Sequence, residues 1–571
     1  MRILLLVTAF NGLSQRVQQH LSYKGHQINV NFAVNELELR NTLAQFQPEL
    51  ILCPFLKERI PEDIWRDYLS IIIHPGIKGD RGPSSLDWAI IEGQAKWGVT
   101  ALQADSEMDA GDIWVTDNFT MRKGSKASLY RKEVSNTAIK LVDQLITCLE
   151  QDNFQPEALN YSNDDVRGEL KPLMRQPLRT IDWLNDTTEQ VLAKINAADS
   201  FPGVLDEFNH NKVYLFGVHI EAEMRKPFNA KPKQIIGKRR GAILVATKDG
   251  LIWISHLKQQ KNQQQSYFKL PATEVLGPTL VEIDELALPI LADHKLKTFK
   301  EISYSERNNV GYLYFNFHNG AMSTLQCQSL IEAYHEVCQR DINAIVLMGG
   351  DEFWSNGIHL NTIEAAENSA QESWLNINAI NDFVKSVLET KDKLTIAALG
   401  NNAGAGGVML ALACDYVFAR EGIILNPHYK SMGLYGSEYW TYSLPKRVGE
   451  KQAQLLTQQC LPLGAKQALN IGLVDSVFTN DDLDFTLQLS QNCSELANSA
   501  QFGSLIANKR AVREQHEAEK PLASYRDEEL AEMKKCFYIQ DSQYHRLRHD
   551  FVYKICPTET PKHLKLANKC Y

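Results

Sequence analysis

The chain has 571 residues, which at about 150 residues per domain predicts about four domains. Charged residues make up 23% and hydrophobic ones 44%, the balance of a globular chain rather than a disordered one. Sixty Lys and Arg against 69 Asp and Glu leave a net charge of −9, which gives no basic footprint for nucleic acid, and no run of about 18 apolar residues is present to span a membrane.

Taken in order, RILLLVTA, HQINVNFA and PELILCPF are β-like runs separated by segments of helical spacing, which predicts α/β architecture over residues 1–165. The apolar run of MRILLLVTAF is about seven residues, at the bottom of the range for a secretory signal, and suits a first strand entering a first helix. The polar stretch at 151–172 reads as a linker. Asp186-Thr187-Thr188-Glu189 has capping-box spacing ahead of VLAKINAA. KVYLFGVHIEA, GAILVATK and GLIWISHL then predict a small β-rich domain over residues 170–278, with the Gln-rich KQQKNQQQSYF as a solvated hairpin tip. GYLYFNF, NAIVLMGG and LTIAALG alternate with helical segments over residues 295–480, and the pattern is helical and charged over 481–571. The fold class expected is thus α/β multidomain.

The ten cysteines contain no CxxC, which reads as reduced thiols in a cytoplasmic protein, Cys556 and Cys570 among them. His545 and His549 have helical i, i+4 spacing with Cys536 and Cys556 flanking them, but without HExxH or paired cysteines they predict no metal site.

Two constellations carry chemistry. In the first, the buried run SIII ends in His74, followed by a Pro-Gly loop and a second strand leading to Asp105, Asp109 and Asp112. A strand-end histidine that meets a carboxylate from a later loop can do acid–base work, although such a histidine can equally be a structural hydrogen-bonder. This region resembles the folate-dependent formyltransferases, through the His-Pro loop with Arg81-Gly82-Pro83, the GVTALQAD strand and Met108-Asp109-Ala110-Gly111-Asp112-Ile113. Asp182-Trp183 and Phe201-Pro202-Gly203 resemble the C-terminal domain of the same family. The resemblance implies a Rossmann-like N-terminal domain, an OB-like β-barrel behind it, and a 10-formyltetrahydrofolate donor. It makes His74 and Asp109 the catalytic pair and places the pteridine near Cys53, Pro54, Phe55 and Leu56 and the 105–112 loop, with Arg81 and Asp105 as binding residues. One position departs from the family: Ile72 stands where its members have an Asn that polarises the formyl carbonyl. Loss of one such donor costs about 3–4 kcal/mol, or about 10²–10³ in rate.

In the second constellation, NAIVLMGG runs into Asp351–Leu360 and LTIAALG into Asn401–Gly407 ahead of a helix. Two strand-end glycine turns can aim two N–H groups at one point, one of them at a helix N-terminus, as an oxyanion hole requires. A phosphate site or close packing would use a single such turn as well. The pair resembles the crotonase (enoyl-CoA hydratase/isomerase) superfamily over residues 300–480. That resemblance implies N–H donors at Ile358 and Gly406, flanked by Asn356, Gly357 and Ala405, and a coenzyme A thioester as ligand. The two glutamates of the hydratases fall on Met409 and His428, so hydration of an enoyl-CoA is not expected. The following segment 426–440 gathers His428, Tyr429, Tyr435 and Glu438, a set able to supply a proton acceptor and donor, or a polar aromatic subunit interface.

The order of the two halves resembles that of hydrogenase maturation factors. This implies formyl transfer to coenzyme A, decarbonylation of formyl-CoA to carbon monoxide for the iron of [NiFe]-hydrogenase, and hydrogenase maturation proteins or the hydrogenase large subunit as partners. The alternatives are a formyl-CoA or acyl-CoA hydrolase, a formyltransferase with an inactive crotonase partner, and a non-catalytic assembly scaffold.

Overall fold

In the computed structural model, which describes residues 1–262 and 265–567, the apolar run Arg2–Val7 forms strand β1, buried from Ile3 onward. Helix α1 (Gly12–Tyr23) starts where the Asn11 side chain accepts from the Ser14 N–H. Strand β2 (Gln27–Phe32), helix α2 (Glu36–Phe46), β3 (Leu50–Cys53), β4 (Ser70–His74), β5 (Lys96–Gln103) and β6 (Ile113–Thr120) follow, then helix α3 (Ser135–Leu149). The strand order is β2-β1-β3-β4-β5-β6, with the first four parallel and the last two antiparallel. Parallel order brings the carboxyl ends of β1, β3 and β4 to one edge, where open α/β sheets place their ligands. His74 is the last residue of β4.

Helix α4 (Thr188–Ala198) opens the next layer. Its capping box is set one residue later than the sequence spacing indicates: Thr187 is the cap and Gln190 its partner, while Asp186 accepts from the Asp182 N–H and Lys194. Thr187 wins because its hydroxyl reaches the third helical N–H while Gln190 returns the bond to the cap. Strands β7 (Val204–Phe208), β8 (Asn211–Glu221), β9 (Ile235–Arg239), β10 (Ala242–Ala246), β11 (Leu251–Gln259) and β12 (Leu270–Pro271) form an antiparallel sheet of order β7-β8-β11-β10-β9, with β12 on β11. Among the described residues no strand pairing joins the two ends of this ladder. Val191, Ile195 and Ala198 of α4 pack on Ile243, Ile252 and Ile254 of the sheet. Gln263 and Gln264 of the Gln-rich tip lie outside the described residues.

The chain forms two compact units, one of residues 1–286, 297–299 and 556–571 and one of residues 287–296 and 300–555. In the second, β13 (Ile302–Arg307) and β14 (Val310–Phe315) make a hairpin whose two-residue turn, Asn308-Asn309, has φ values of 53° and 61°. Asparagine tolerates that conformation, and the turn matches the twist of the strands. Helix α5 (Thr324–Cys338), β15 (Ala344–Gly349), α6 (Ser369–Leu388), β16 (Leu394–Leu399), α7 (Gly406–Leu412), β17 (Tyr416–Arg420), α8 (Trp440–Val448) and β18 (Ser476–Phe478) follow, and the sheet runs from β13 to β18 in sequence order.

Helices α9 (Asp482–Ala497), α10 (Phe502–Glu519), α11 (Leu522–Tyr538) and α12 (Gln543–Val552) are not set apart as the boundary at 480 anticipates. Phe485, Leu489 and Cys493 of α9 pack with Val310, Val346 and Ile396 of the sheet, and Met533 and Phe537 of α11 join the main core. Apolar stripes on charged helices carry them there. The last stretch belongs to the first unit: the Thr560 hydroxyl accepts from the Phe32 N–H at 2.9 Å, Lys565 pairs with Glu38 at 3.0 Å, and Leu564 is buried.

Among the described residues no helix is long and apolar enough to cross a membrane. The nine described cysteines are free, and Cys570 lies outside the described residues. His549 sits 3.0 Å from Glu364 and His545 3.1 Å from the Ile539 carbonyl, contacts that hold α12 in place. Phe383, fully buried on α6 and edge-on to Tyr334 at 5.7 Å, sits at the centre of the second unit. Phe383→Ala is expected to cost about 3–5 kcal/mol, read as a lower urea midpoint by tryptophan fluorescence; an unchanged midpoint would remove Phe383 from that role.

Candidate functional site

The first site is built where β4 ends. Ile72 and His74 point to the same side of the strand, and Ile72 packs on the cluster that contains Cys53 and Ala104. The His74 Nε2 lies 2.7 Å from Asp80 Oδ2, and its Nδ1 3.7 Å from Asp109 Oδ1. Both His74 and Asp80 are buried. Gly76 makes the pair possible, because a Cβ there would stand 2.2 Å from the Asp80 carboxylate and 2.4 Å from the His74 ring. Burial alone would lower the His74 pKa, but the Asp80 hydrogen bond and the charges of Asp109 and Asp80 outweigh it and leave it raised. With Nε2–H given to Asp80, Nδ1 is the nitrogen presented to Asp109.

Asp109 stands at φ 53° and accepts from the Gly82 N–H at 3.1 Å. Arg81, expected at the cofactor, donates to the Met108 carbonyl and to Glu107, both at 3.0 Å, and so holds the Asp109 loop. Asp105 is exposed and folds the same loop by accepting from the Glu107 N–H at 2.7 Å. Cys53 is fully buried, with its thiol pushed up by burial, and is core rather than lining. Pro54 accepts from Tyr130, Phe55 stands edge-on to the Tyr130 ring at 6.2 Å, and Leu56 packs beside Ile72.

The polar stretch 151–172 is a brace rather than a free linker. Lys78 pairs with Glu157 and Asp165, each at 2.6 Å. Gly168 N–H donates to the Lys78 carbonyl, Arg81 N–H to Glu169 and Lys171 N–H to Arg81, so the brace runs alongside the loop that carries Asp80. A Cβ on Gly168 would stand 1.9 Å from the Asp80 nitrogen. Its polar composition reads as solvated because its partners are the Lys78 side chain and backbone groups of another loop, which no periodicity reveals. Asp80 itself is absent from the sequence-predicted set. Its signal, a carboxylate six residues past a strand-end histidine, is hidden in a turn-like Gly-Asp-Arg-Gly.

The second site joins the two glycine turns. Ser355 bridges Ala403, the Gly404 N–H donates to the Ser355 carbonyl at 2.9 Å, and a Cβ on Gly357 would lie 3.2 Å from the Gly406 nitrogen. Gly357 takes φ 78°, which leads the chain into Ile358 opposite the N-terminus of α7. Ala405, at φ 45°, turns the chain into Gly406, whose N–H is one of the helix-start donors without an intrahelical partner. The Asn356 side chain donates to the Asn319 carbonyl at 2.7 Å and fixes the first turn.

Glu438 comes to this point. A Cβ on Gly406 would be 2.1 Å from Glu438 Oε1, so only glycine admits the carboxylate here. Glu438 Oε2 accepts from the Tyr429 hydroxyl at 2.7 Å and from the Ser437 N–H at 3.1 Å. Burial pushes the Glu438 carboxyl up to about 7 against the pull of those two donors, and burial together with the Glu438 charge raises the Tyr429 hydroxyl well above its usual value. His428 donates Nδ1–H to the Asn426 carbonyl at 2.7 Å, and burial lowers its pKa. Tyr435 is 41% exposed, with its ring 5.5 Å from that of Trp440. Met409 is fully buried on α7.

The formyl transferase family matches residues 14–144, its C-terminal domain residues 174–269, and the enoyl-CoA hydratase/isomerase family residues 306–554. The hydrogenase maturation factor HoxX of Bradyrhizobium diazoefficiens is 43% identical over 98% of this chain and 96% of its own length. The chain belongs to this family of hydrogenase maturation factors. HypX from Aquifex aeolicus, crystallised in complex with tetrahydrofolic acid, superposes with a TM-score of 0.94 at 42% identity, covering 99% of this chain and 98% of that one. The HypX/HoxX pattern thus accounts for both halves together. Methionyl-tRNA formyltransferase of Caldanaerobacter subterraneus, by contrast, is 20% identical over 40% of this chain and 72% of its own length.

The Asp80 contact has a measurable consequence. A histidine whose folded pKa is raised contributes stability that is present below its unfolded value of about 6.5 and lost as pH climbs through the folded value. Asp80→Asn is expected to lower the His74 pKa, read in the imidazole proton NMR titration, and to flatten that part of the stability–pH curve. An unshifted titration would assign the raised value to Asp109 alone.

Proposed function

We propose that this protein makes carbon monoxide for the iron of [NiFe]-hydrogenase from 10-formyltetrahydrofolate, by formyl transfer to coenzyme A and decarbonylation of formyl-CoA. The observation that carries the reading is the Glu438 carboxylate. It is buried, bound by Tyr429 on one oxygen, and packed with the other where a Cβ of Gly406 would stand. The hydratase positions beside it hold Met409 and His428, so the arrangement favours moving one proton on a thioester over adding water. Membership of the hydrogenase maturation family and the tetrahydrofolate complex of the Aquifex relative support the folate half.

In the first half, His74 takes the proton of the incoming thiol at Nδ1, and Asp109 steadies the imidazolium. The sulfur bonds to the formyl carbon, the bond from that carbon to folate nitrogen breaks, and His74 returns the proton to the nitrogen. Formyl-CoA and tetrahydrofolate result. A thiolate is a stronger nucleophile than an amine, which lowers the demand on the donor that Ile72 replaces. Asp80 holds the imidazole in register throughout, and Arg81 and Asp105 shape the loop that delivers Asp109.

In the second half, the N–H groups of Ile358 and Gly406 hold the carbonyl oxygen. Glu438 Oε1 takes the formyl proton, the C–S bond breaks with its electron pair on sulfur, and the proton passes to the thiolate. Carbon monoxide and coenzyme A leave with atoms and charge in balance. Tyr429 fixes the carboxylate in place through Oε2. A base near pKa 7 suits this step at neutral pH. Hydrogenase maturation proteins or the hydrogenase large subunit are the expected recipients.

Carbon monoxide release, followed by the haemoglobin spectral shift with 10-formyltetrahydrofolate and added coenzyme A, tests the reading. Wild-type protein is expected to release it, with a rate that falls as pH drops below about 7, where Glu438 is protonated. Glu438→Gln is expected to abolish release while tetrahydrofolate still forms. Formate in place of carbon monoxide would make the second half a hydrolase, and an undiminished rate in Glu438→Gln would remove Glu438 from the chemistry.

A further inference from the structure

A second carboxylate, Glu529 on α11, is fully buried some ninety residues along the chain from Glu438. Its Oε2 accepts from the Tyr439 N–H at 3.0 Å and the Ser437 hydroxyl at 3.2 Å, and its Oε1 from the Thr441 N–H at 2.9 Å and the Thr441 hydroxyl at 2.6 Å. All four donors belong to the turn that carries Glu438 and the first turn of α8. That turn is unusual: Glu438 and Tyr439 stand at φ 60° and 57°, a conformation that side-chain-bearing residues rarely hold twice in succession. Asn381 on α6 supports it from the other side, with Oδ1 accepting from the Glu438 N–H at 2.8 Å and Nδ2 donating to Ser437 at 2.8 Å.

We propose that Glu529 is a positioning residue for the thioester step, holding Glu438 Oε1 at the oxyanion hole by clamping residues 437–441 at the N-terminus of α8. The proposal rests on the reading of Glu438 as the proton acceptor. Glu529 makes no contact with the reacting atoms, because both its oxygens are taken by the turn. Only a carboxylate serves, since four donors converge on two oxygens and an amide would turn an N–H toward two of them. A negative charge at the start of α8 also lies along the favourable direction of the helix dipole.

The second consequence is electrostatic. The titratable groups that face Glu529 are Glu438, Tyr429, Tyr435 and Tyr439, with Arg526, Glu528 and Glu532 on its own helix and Asp382 on α6 near Arg526. Burial, with the Glu438 charge adding to it, raises the Glu529 carboxyl to about 7. The two carboxylates therefore titrate as a linked pair. Removing the Glu529 charge lowers the pH at which Glu438 ionises.

The test uses the full chain with 10-formyltetrahydrofolate and coenzyme A. In Glu529→Gln, carbon monoxide release is expected to fall at least about tenfold in kcat with KM for coenzyme A changed less than about twofold. Tetrahydrofolate formation should persist, and the limb of the kcat–pH profile that belongs to Glu438 should move to lower pH. Thr441→Val removes one donor without touching the carboxylate, and the same shifts are expected in smaller measure, which keeps the proposal testable if Glu529→Gln does not fold. Unchanged release in either folded variant would overturn it, as would a rate loss with an unmoved pH limb, the mark of mere structural damage. Retained release in Glu438→Gln would instead overturn the reading of the site on which it stands.

Discussion

A carboxylate taken out of water costs several kcal/mol unless donors surround it, and the second unit is organised around meeting that cost twice. Glu438 has Tyr429 and the Ser437 N–H, and Glu529 has four donors of the 437–441 segment. The elements that supply those groups come from widely separated stretches: the loop before α8, α8 itself, α6 and α11. Each is held by the core that contains Phe383, Met533 and Phe537. Packing, turn strain and carboxylate chemistry are one arrangement, because the strained turn persists only while the donors and acceptors around it stay paired.

The same principle acts on a smaller scale in the first unit. His74 is charged more readily than burial allows because Asp80 lies under it, and Asp80 is in place because Gly76 leaves room above and the Gly168 segment closes below. Ile72 gives its side chain to the cluster around Leu56 and Cys53, so that side of the strand end is apolar.

Much of this was legible in the sequence. Strand-like runs marked β1 to β5 of the first sheet but not β6, the paired glycine turns marked two segments that the structure brings together, and Tyr429 and Glu438, named from their company, are hydrogen-bonded to each other. What stayed hidden has a common physical cause: it depends on contacts between distant segments. Glu529 sits in a charged helix where an acidic residue ordinarily faces solvent, and the brace at 157–171 has the composition of a loop because it bonds to backbone. Asp80 and Tyr435 show that burial is the property least legible in the sequence. A turn aspartate is buried under the histidine, and a tyrosine three residues from the buried Glu438 is 41% exposed.

The return of residues 556–567 to the first unit bears on how the molecule is made. Thr560 accepts from the Phe32 N–H at the end of edge strand β2 and Leu564 is buried in the same unit, so the first unit lacks these pieces until the whole of the second has been synthesised. Domains ordinarily complete themselves in the order in which they emerge. Here the second unit is encoded between parts of the first, so all of its residues precede the 556–567 segment that the first unit takes back.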